Sequence, residues 1–361
     1  MMVWHGAPRR RVLMVTHCPP EAPWTGERRR VAAVYTHLCR RFECDLVICP
    51  KSASRVASIW RQLSHPLAPP YAAHFRPEST PWTECHYDLL WVFELWSLAN
   101  IPRTLWSRVV WDKDTRVAAS YYESGLRHRP MAWWISSYER RAMRAVRHTF
   151  LSLPGDVDAL ASTDVTVLPH GFPQEVMAAG AKPAARTDHP LRLGFVGMLG
   201  HGPNLRGIHW FTTEVWPNLR ESLGTGDSEL WIAGEGLREQ DSRDLSSIDG
   251  VRLLGYVPNL DSFYRSIDVI IAPLLDGQGA PTKVMEAMGY GVPVVGTECG
   301  LRGVPDELQT VSIQATGRDW KDCIHQAMAA RSSVRVQAAL SRYTWPSVLT
   351  RHVDPILETT R

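Results

Sequence analysis

A lysine and a glutamate three residues apart, Lys283 and Glu286, follow a glycine-rich loop in the C-terminal half of the sequence. The loop contains Gly279 and Thr282, and the residues after it predict a helix and then a strand. Unpaired backbone N–H groups and the helix dipole attract phosphate at such a helix start, and a lysine adds a full positive charge. A carboxylate one turn further along the same face can accept two hydrogen bonds from a ribose diol. The stretch Gly277–Thr297 therefore predicts a nucleotide site, with a loop carrying a solvated Lys–Glu pair as the alternative.

Short apolar runs and amphipathic segments alternate along the chain. The strands and helices that they predict would position Lys283 and Glu286. Strands alternating with helices predict an α/β fold with parallel sheets covered on both faces, in two Rossmann-like, doubly wound domains that face each other across a cleft. The predicted strands of the first half are Arg11–Thr16, Cys44–Cys49, Asp88–Phe93, Arg108–Trp111, Thr149–Leu153 and Val165–Leu168. Those of the second half are Leu191–Val196, Glu229–Ala233, Val251–Leu253, Val269–Pro273, Val292–Gly296 and Thr310–Ile313. Among the predicted helices are the basic helix Tyr138–Arg147 and the short helix Leu260–Ser266. Ligands of such sheets bind outside the carboxyl ends of the strands.

The length of 361 residues predicts two domains. We expect residues 1–170 to form the N-terminal, acceptor-side domain and residues 171–343 the C-terminal, donor-binding domain. The small, polar and proline-containing segment Ala178–Pro190 is the predicted linker. A last helix, 344–361, is expected to pack back on the first domain.

Composition excludes several classes of protein. The net charge is +3 and no basic stripe is interleaved with aromatic residues, so nucleic acid is not an expected partner. The seven cysteines are scattered without zinc spacing, which predicts a reduced, cytoplasmic protein without a metal site. The sequence contains no run of 18 apolar residues, so a transmembrane helix is not expected. It also lacks a clear basic amphipathic helix, which argues against binding to a lipid surface.

The segment around Glu286 resembles the donor-binding region of the group 1 glycosyl transferases, the retaining enzymes of glycosyltransferase family four. Their signature is an E-x7-E motif followed by A-M-A-x-G-x-P-V-V-x-T, and Glu286 matches its second glutamate. The residues that follow in step are Ala287, Met288, Gly291, Pro293, Val294, Val295 and Thr297. Gln278 stands where the first glutamate, which faces the donor sugar in the family, is usual. The resemblance therefore implies nucleotide binding more firmly than particular sugar contacts.

Further glycine-rich turns are similar to the same family. Phe195–Gly207 resembles its strand–loop G-R-L-x-x-x-K-G, with His201 in place of the arginine and Arg206 in place of the lysine that hold the donor diphosphate. Arginine keeps the charge and gains bidentate geometry, whereas histidine is largely neutral near pH 7. A surface turn with a solvated arginine is the alternative.

The resemblance also assigns residues that follow the next two strands. It implies that Gly234 lines the cleft and that Tyr256 and Val257 surround the nucleobase. For Tyr256 the alternative is a half-buried core aromatic.

The N-terminal half matches the family less closely. Gly26 resembles the first loop, which usually carries a glycine pair near the donor phosphate, but Glu27 occupies the second position. The arginines of Arg28–Arg30 are expected to face solvent at a helix start.

Two predicted strands of this half end in carboxylates. Asp112 and Asp114 flank Lys113 and should share one side if their strand continues, and Glu94 ends the preceding strand. Each is a candidate for binding sugar hydroxyls or the acceptor, with a structurally satisfied carboxylate as the alternative. The tryptophans nearby are expected to fill the core rather than to stack on sugars.

Together these residues predict a GT-B transferase that moves a sugar from a nucleotide-diphosphate donor to an unidentified acceptor. Arg206 and Lys283 would stabilise the departing diphosphate and Glu286 would hold the ribose. The resemblance implies retention and no need for metal or another cofactor. Two alternatives stay open: a non-catalytic or partner-dependent subunit, and a nucleotide-sugar 2-epimerase.

Overall fold

The computed structural model of the protein describes residues 10–21, 25–51, 74–114, 117–118, 129–158, 164–178, 190–224, 226–315, 319–330 and 334–359. The chain divides into two compact units, one formed by Met1–Pro169 with Leu349–Arg361 and the other by His170–Val348. Most of the predicted linker, residues 179–189, lies outside the described residues.

The first unit contains a parallel sheet of six strands among its described residues. Its strands are β1 (Arg11–Thr16), β2 (Glu43–Ile48), β3 (Leu89–Phe93), β4 (Val109–Asp114), β5 (His148–Leu151) and β6 (Val165–Val167). They lie in the order β2-β1-β3-β4-β5-β6. Every residue of β3 and β4 is buried, because helices cover both faces of a doubly wound sheet.

The helices of the first unit follow its strands. They are α1 (Gly26–Cys39), α2 (Glu94–Leu98), α3 (Arg129–Ala145) and α4 (Pro154–Asp158). The side chain of Thr25 caps α1 by accepting a hydrogen bond from the Arg28 N–H at 3.2 Å, and Val31, Val34 and Leu38 pack inward. The helix α3 begins nine residues before the predicted basic helix Tyr138–Arg147.

The second unit repeats this architecture. Its strands are β7 (Leu191–Val196), β8 (Ser228–Ala233), β9 (Val251–Gly255), β10 (Val269–Ala272), β11 (Val294–Gly296) and β12 (Ser312–Gln314). The order β12-β11-β10-β7-β8-β9 is again parallel in every described pairing. The two six-stranded sheets with their helices confirm the predicted α/β fold class.

The helices of the second unit alternate with these strands. They are α5 (Gln174–Ala178), α6 (Gly202–Trp210), α7 (Trp216–Leu223), α8 (Glu239–Ser246), α9 (Leu260–Ser266), α10 (Thr282–Gly289), α11 (Trp320–Ala330) and α12 (Val334–Leu340). A π-helical turn, Phe211–Val215, separates α6 from α7. The chain ends in α13 (Trp345–His352) and α14 (Asp354–Glu358). Asp354 lies in the first unit, where its carboxylate is 2.7 Å from Nε2 of the buried His37.

Most of the described tryptophans lie in the core, as expected. Trp91 and Trp111 are fully buried in the sheet of the first unit, and Trp216 and Trp320 are fully buried in the second. Trp133 on α3 differs, because 65% of it is exposed. None of the helices in the described part of the chain combines the length and hydrophobicity that crossing a membrane requires.

Candidate functional site

The second unit has its topological switch point between β7 and β10. These strands pair with each other, yet the chain leaves β7 for β8 on one side and β10 for β11 on the other. Doubly wound domains bind their ligands at such a point, outside the carboxyl ends of the strands. The predicted donor residues come from loops that follow the strands and from the helices α6 and α10.

Lys283, in the first turn of α10, lies at this switch point. Its ammonium donates a hydrogen bond to Oδ1 of Asn204 at 2.7 Å and lies 4.1 Å from the centre of the Phe195 ring. A Cβ atom on Gly197, directly after β7, would come within 3.2 Å of the same nitrogen. Desolvation lowers the pKa of Lys283 from 10.5 to about 7. Among the described residues, the side chain is thus held in place by a neutral amide and not by a carboxylate.

Asn204 holds this lysine, and sequence reasoning did not single it out. Its Nδ2 donates to the carbonyl of Met198 at 2.9 Å while its Oδ1 accepts from Lys283. The amide therefore joins the turn after β7 to the start of α10. The available signal was its place in the Gly-Pro-Asn start of α6, inside the glycine-rich segment.

Arg206, on α6, has a carboxylate partner. Its Nε and Nη2 donate to the two oxygens of Asp276 at 2.9 and 2.7 Å, in bidentate geometry. The arginine side chain is 58% exposed. Asp276 follows β10 and was also missed, because nothing in the sequence brings it next to a residue 70 positions earlier.

Glu286 lies one turn after Lys283 on α10 and accepts a hydrogen bond from Oη of Tyr264 at 3.3 Å. The buried Tyr264 stacks on Tyr290, with ring centres 4.7 Å apart. The aromatic pair fixes the carboxylate beside the lysine on one helix.

Two glycines let the turn after β8 approach the turn after β7. Gly234 has a φ of +146°, and a Cβ there would lie 1.9 Å from the carbonyl oxygen of Gly197. Gly236 has a φ of +92° and packs against Gly200. Any side chain would push the two turns apart, so Gly234 shapes the loop that lies beside Lys283.

The remaining predicted donor residues lie on the surface of the same unit or close to it. Tyr256 is 53% exposed, so the core-aromatic alternative for it is wrong. His201 is exposed at the residue before α6, and Val257 and Thr282 are half-buried. Gly279 has a φ of +77°, a conformation that glycine adopts without strain.

In the first unit, Glu94 follows β3 directly. Its φ is +60°, in the left-handed region that residues other than glycine rarely adopt. The carboxyl is buried, and the one hydrogen bond described for it comes from the N–H of Leu95 at 3.4 Å. Burial raises the pKa of Glu94 well above its ordinary value, with Lys113 opposing the shift and Asp114 adding to it. A strained, buried carboxyl with a raised pKa at a strand end is typical of a functional residue.

Asp114 ends the neighbouring strand and has a φ of +54°. Its carboxylate lies 3.6 Å from Nη1 of Arg30, and its carbonyl accepts hydrogen bonds from the N–H and Oγ of Ser152. Glu94 and Asp114 are the two residues other than glycine with positive φ in the described chain. They lie at the carboxyl ends of paired strands.

Asp112 differs from these two, because it is fully buried against Arg30. Nη2 of Arg30 donates to Oδ1 of Asp112 at 2.7 Å, and Nη1 donates to the carbonyl of Leu168 at 3.0 Å. The solvent-facing interpretation of Arg28–Arg30 is therefore wrong for Arg30, which is fully buried. The charge of Asp112 is used inside the fold, and the structure supports the satisfied-carboxylate alternative for this residue.

Lys113, between the two aspartates, points to the other face of the sheet. Its ammonium lies 2.9 Å from Oε1 of Glu139 on α3, and both side chains are buried. The carboxyl ends of β3 and β4 thus carry two buried ion pairs with Glu94 beside them.

Three possible metal ligands meet at the start of the first unit, although the sequence showed no metal-ligand spacing. Ligand atoms of His17, Cys18 and Glu27 all lie within 4.8 Å of one another. Cys18 is buried, which raises the pKa of its thiol to about 11, whereas the Glu27 side chain is 53% exposed. Gly26, the predicted phosphate-loop glycine, is the first residue of α1 beside this group.

A comparison with protein families covers most of the second unit. Residues 190–329, which contain all predicted donor residues except Gly26, match the family model described as Glycosyl transferases group 1. An uncharacterized 44.6 kDa protein in the cps region of Klebsiella pneumoniae is 30% identical over 122 residues. That match spans 32% of this chain and 31% of the relative.

Solved structures resemble the chain over almost its full length. Sucrose-phosphate synthase from Thermosynechococcus elongatus gives a TM-score of 0.69 at 12% identity, covering 97% of this chain and 99% of the other. The α,α-trehalose 6-phosphate synthase of Burkholderia multivorans gives a TM-score of 0.65 at 13% identity, covering 98% of this chain and 99% of the other. WaaG, a glycosyltransferase involved in lipopolysaccharide biosynthesis, gives a TM-score of 0.65 at 14% identity, covering 96% of this chain and 99% of the other. These likenesses show the fold, and the family match to the second unit supports a glycosyltransferase.

Proposed function

We propose that this chain transfers a sugar from a nucleotide-diphosphate donor, held by the second unit, to an acceptor held by the first. The observation that carries the proposal is the position of Lys283. Its ammonium lies at the switch point of the second sheet, fixed by Asn204 and desolvated beside Phe195.

A nucleotide diphosphate fits the electrostatics of this position. Burial lowers the pKa of the half-buried Lys283, and among the described residues its hydrogen-bond acceptor is the neutral amide of Asn204. A diphosphate would supply an anion and favour the protonated lysine. Negative charge grows on the diphosphate as the glycosidic bond breaks, so a fixed cation there stabilises the transition state.

Neighbouring groups suit the rest of the donor. Glu286, held by Tyr264, is placed to accept hydrogen bonds from the ribose hydroxyls, and Arg206 can add its charge to the diphosphate. Tyr256 is exposed and offers an aromatic face to the nucleobase.

Glu94 and Asp114 are the acceptor-side candidates that we retain. A protonated Glu94 can donate a hydrogen bond to a sugar oxygen, and Asp114 can accept one from a hydroxyl. Asp112 is set aside as a catalytic group because Arg30 already neutralises it. Retention of configuration, independence from metal and a cytoplasmic setting complete the proposal. The seven free cysteines support the proposed cytoplasmic setting.

Calorimetry with uridine, guanosine, adenosine and cytidine diphosphates tests the donor site. The chain should bind at least one of them, and Lys283→Ala and Glu286→Ala should each weaken that binding about tenfold or more. Lys321→Ala, which removes a half-buried lysine of the same unit bonded to the carbonyl of Ser222, is the matched control and should bind normally. Unchanged affinity in both site variants would refute the assignment.

A partner-dependent, non-catalytic subunit is the second candidate. It is favoured by Gln278 in place of a sugar-facing glutamate and by the engagement of Arg206 with Asp276. Nucleotide binding without turnover of any nucleotide sugar, restored by adding a partner chain, would distinguish it from the enzyme.

A further inference from the structure

The helix α3 presents a basic face to solvent. Its buried side carries Ala132, Ile135, Ser136, Tyr138, Glu139, Ala142 and Met143. Its exposed residues are Arg129, Pro130, Trp133, Arg140, Arg141, Arg144 and Ala145. At 3.6 residues per turn, the four arginines and Trp133 fall within about a third of the circumference, along a helix about 25 Å long. We call these five residues the α3 face.

Acidic residues do not balance this charge on the helix. Its one acidic residue, Glu139, is buried and paired with Lys113 on the opposite side. In the described part of the chain, none of the four arginines has a carboxylate within salt-bridge distance. Arg140 instead donates to the hydroxyls of Ser136 and Ser137. The α3 face is therefore a row of four positive charges without internal counter-charges.

Trp133 adds an apolar element to the α3 face. It is 65% exposed, the largest exposure among the large hydrophobic residues of the described chain. An exposed indole among arginines is typical of segments that lie in the interface of a bilayer, where the ring enters the headgroup region. A soluble polyanion would use the arginines but would leave the indole in water.

We propose that the α3 face docks the first unit on a membrane surface that contains anionic lipids. The helix is anchored to the sheet through its buried side, so its charges are presented as a rigid row. Arginines near an anionic leaflet each contribute to binding, and the contribution falls with ionic strength. The sequence was expected to lack a clear basic amphipathic helix, whereas α3 combines exposed arginines with a buried, largely apolar side.

Vesicle co-sedimentation with the full chain tests this inference without any sugar donor. The chain should bind phosphatidylcholine vesicles containing about a third phosphatidylglycerol, should not bind pure phosphatidylcholine, and should be released at about 0.5 M salt. The variant R140Q/R141Q/R144Q should bind on the order of a hundredfold more weakly. The matched control R238Q/R243Q/R265Q removes three exposed arginines of the second unit that already have carboxylate partners, and it should bind as the parent chain does.

Trp133→Ser separates a bilayer from a soluble polyanion. It should weaken vesicle binding about tenfold and leave binding to heparin unchanged. Circular dichroism melting curves check that each variant is folded. No vesicle binding by the parent chain, equal loss in the two triple variants, or binding to heparin alone would overturn the proposal. Because nucleotide affinity is measured separately, such a failure would leave the proposed donor site untouched.

Discussion

The two units place charged groups at the carboxyl ends of their parallel strands in different ways. In the first unit, Arg30 and Asp112 neutralise each other inside the fold, as do Lys113 and Glu139. In the second unit, Lys283 has a neutral amide as its hydrogen-bond acceptor, and Arg206 meets Asp276 at the surface.

This difference separates charges that hold the fold from charges available to a ligand. A buried ion pair costs desolvation and stabilises the fold only while both partners are present. A desolvated lysine beside a neutral amide instead gains most when an anion arrives. The charges of the second unit thus fit the proposed diphosphate site, whereas the first unit holds Glu94 and Asp114 at positive φ.

The largest effect that we predict is on stability. Arg30→Met should lower the free energy of unfolding by about 3–5 kcal/mol, because it leaves the carboxylate of Asp112 buried without its partner. Urea denaturation of the full chain measures this. Arg243→Met, which breaks an exposed pair with Glu239, should cost less than about 1 kcal/mol.

The double variant Arg30→Met with Asp112→Leu sharpens this test. Replacing the whole pair by apolar side chains should restore part of the lost stability. A loss below about 1 kcal/mol in Arg30→Met would show that the pair does not hold the first unit together.

A smaller effect is predicted for ligand affinity in the second unit. Asn204→Ala removes the acceptor that orients Lys283 and should weaken nucleotide-diphosphate binding about tenfold, the value of one hydrogen bond to a charged group. Calorimetry measures the change. Asn218→Ala, at an exposed position of α7, is the control, and equal affinity in the two variants would argue against the positioning role of Asn204.

Proton uptake tests the pKa of Lys283. Because its pKa is about 7 in the free protein and an anion raises it, nucleotide-diphosphate binding at pH 8 should take up a fraction of a proton approaching one. At pH 6 the lysine is already protonated and its uptake should be small. Calorimetry in buffers of different ionisation enthalpy measures the difference.

Lys283→Arg controls for protons taken up by the nucleotide itself. The guanidinium stays protonated at both pH values, so the excess uptake at pH 8 should disappear in this variant. Equal uptake in the two proteins would assign the proton to another group.

The smallest effect is expected from Glu94→Gln at low pH, since glutamine resembles the protonated carboxyl. The raised pKa means that the unfolded chain loses this proton before the folded chain does. Stability contributed by Glu94 therefore falls as pH rises from its ordinary value of 4.5 through the higher folded pKa. The variant should match the parent at pH 4 and be more stable at pH 9 in thermal melts. A variant less stable than the parent at pH 9 would contradict a protonated Glu94.

Strand positions were predictable because buried parallel strands are short apolar runs. β1, β7 and α9 begin and end where the sequence predicts. The helix α3 was placed too late because Trp133 and Trp134 interrupt its polar face. Arg30 was misread because a helix-start arginine is usually solvated, and its partners Asp112 and Leu168 lie 82 and 138 residues away.

The sequence by itself determined the alternation of strands and helices and the glycine-rich segments of the second unit. These are local patterns, set by side-chain size, hydrophobic period and backbone freedom. Only the tertiary structure decided which charges meet. Parallel strands bring together residues from loops far apart in the chain, so Lys283 reaches Asn204, Arg206 reaches Asp276 and Arg30 reaches Asp112. The partner of each charge, rather than its presence, decides whether it serves the fold or a ligand.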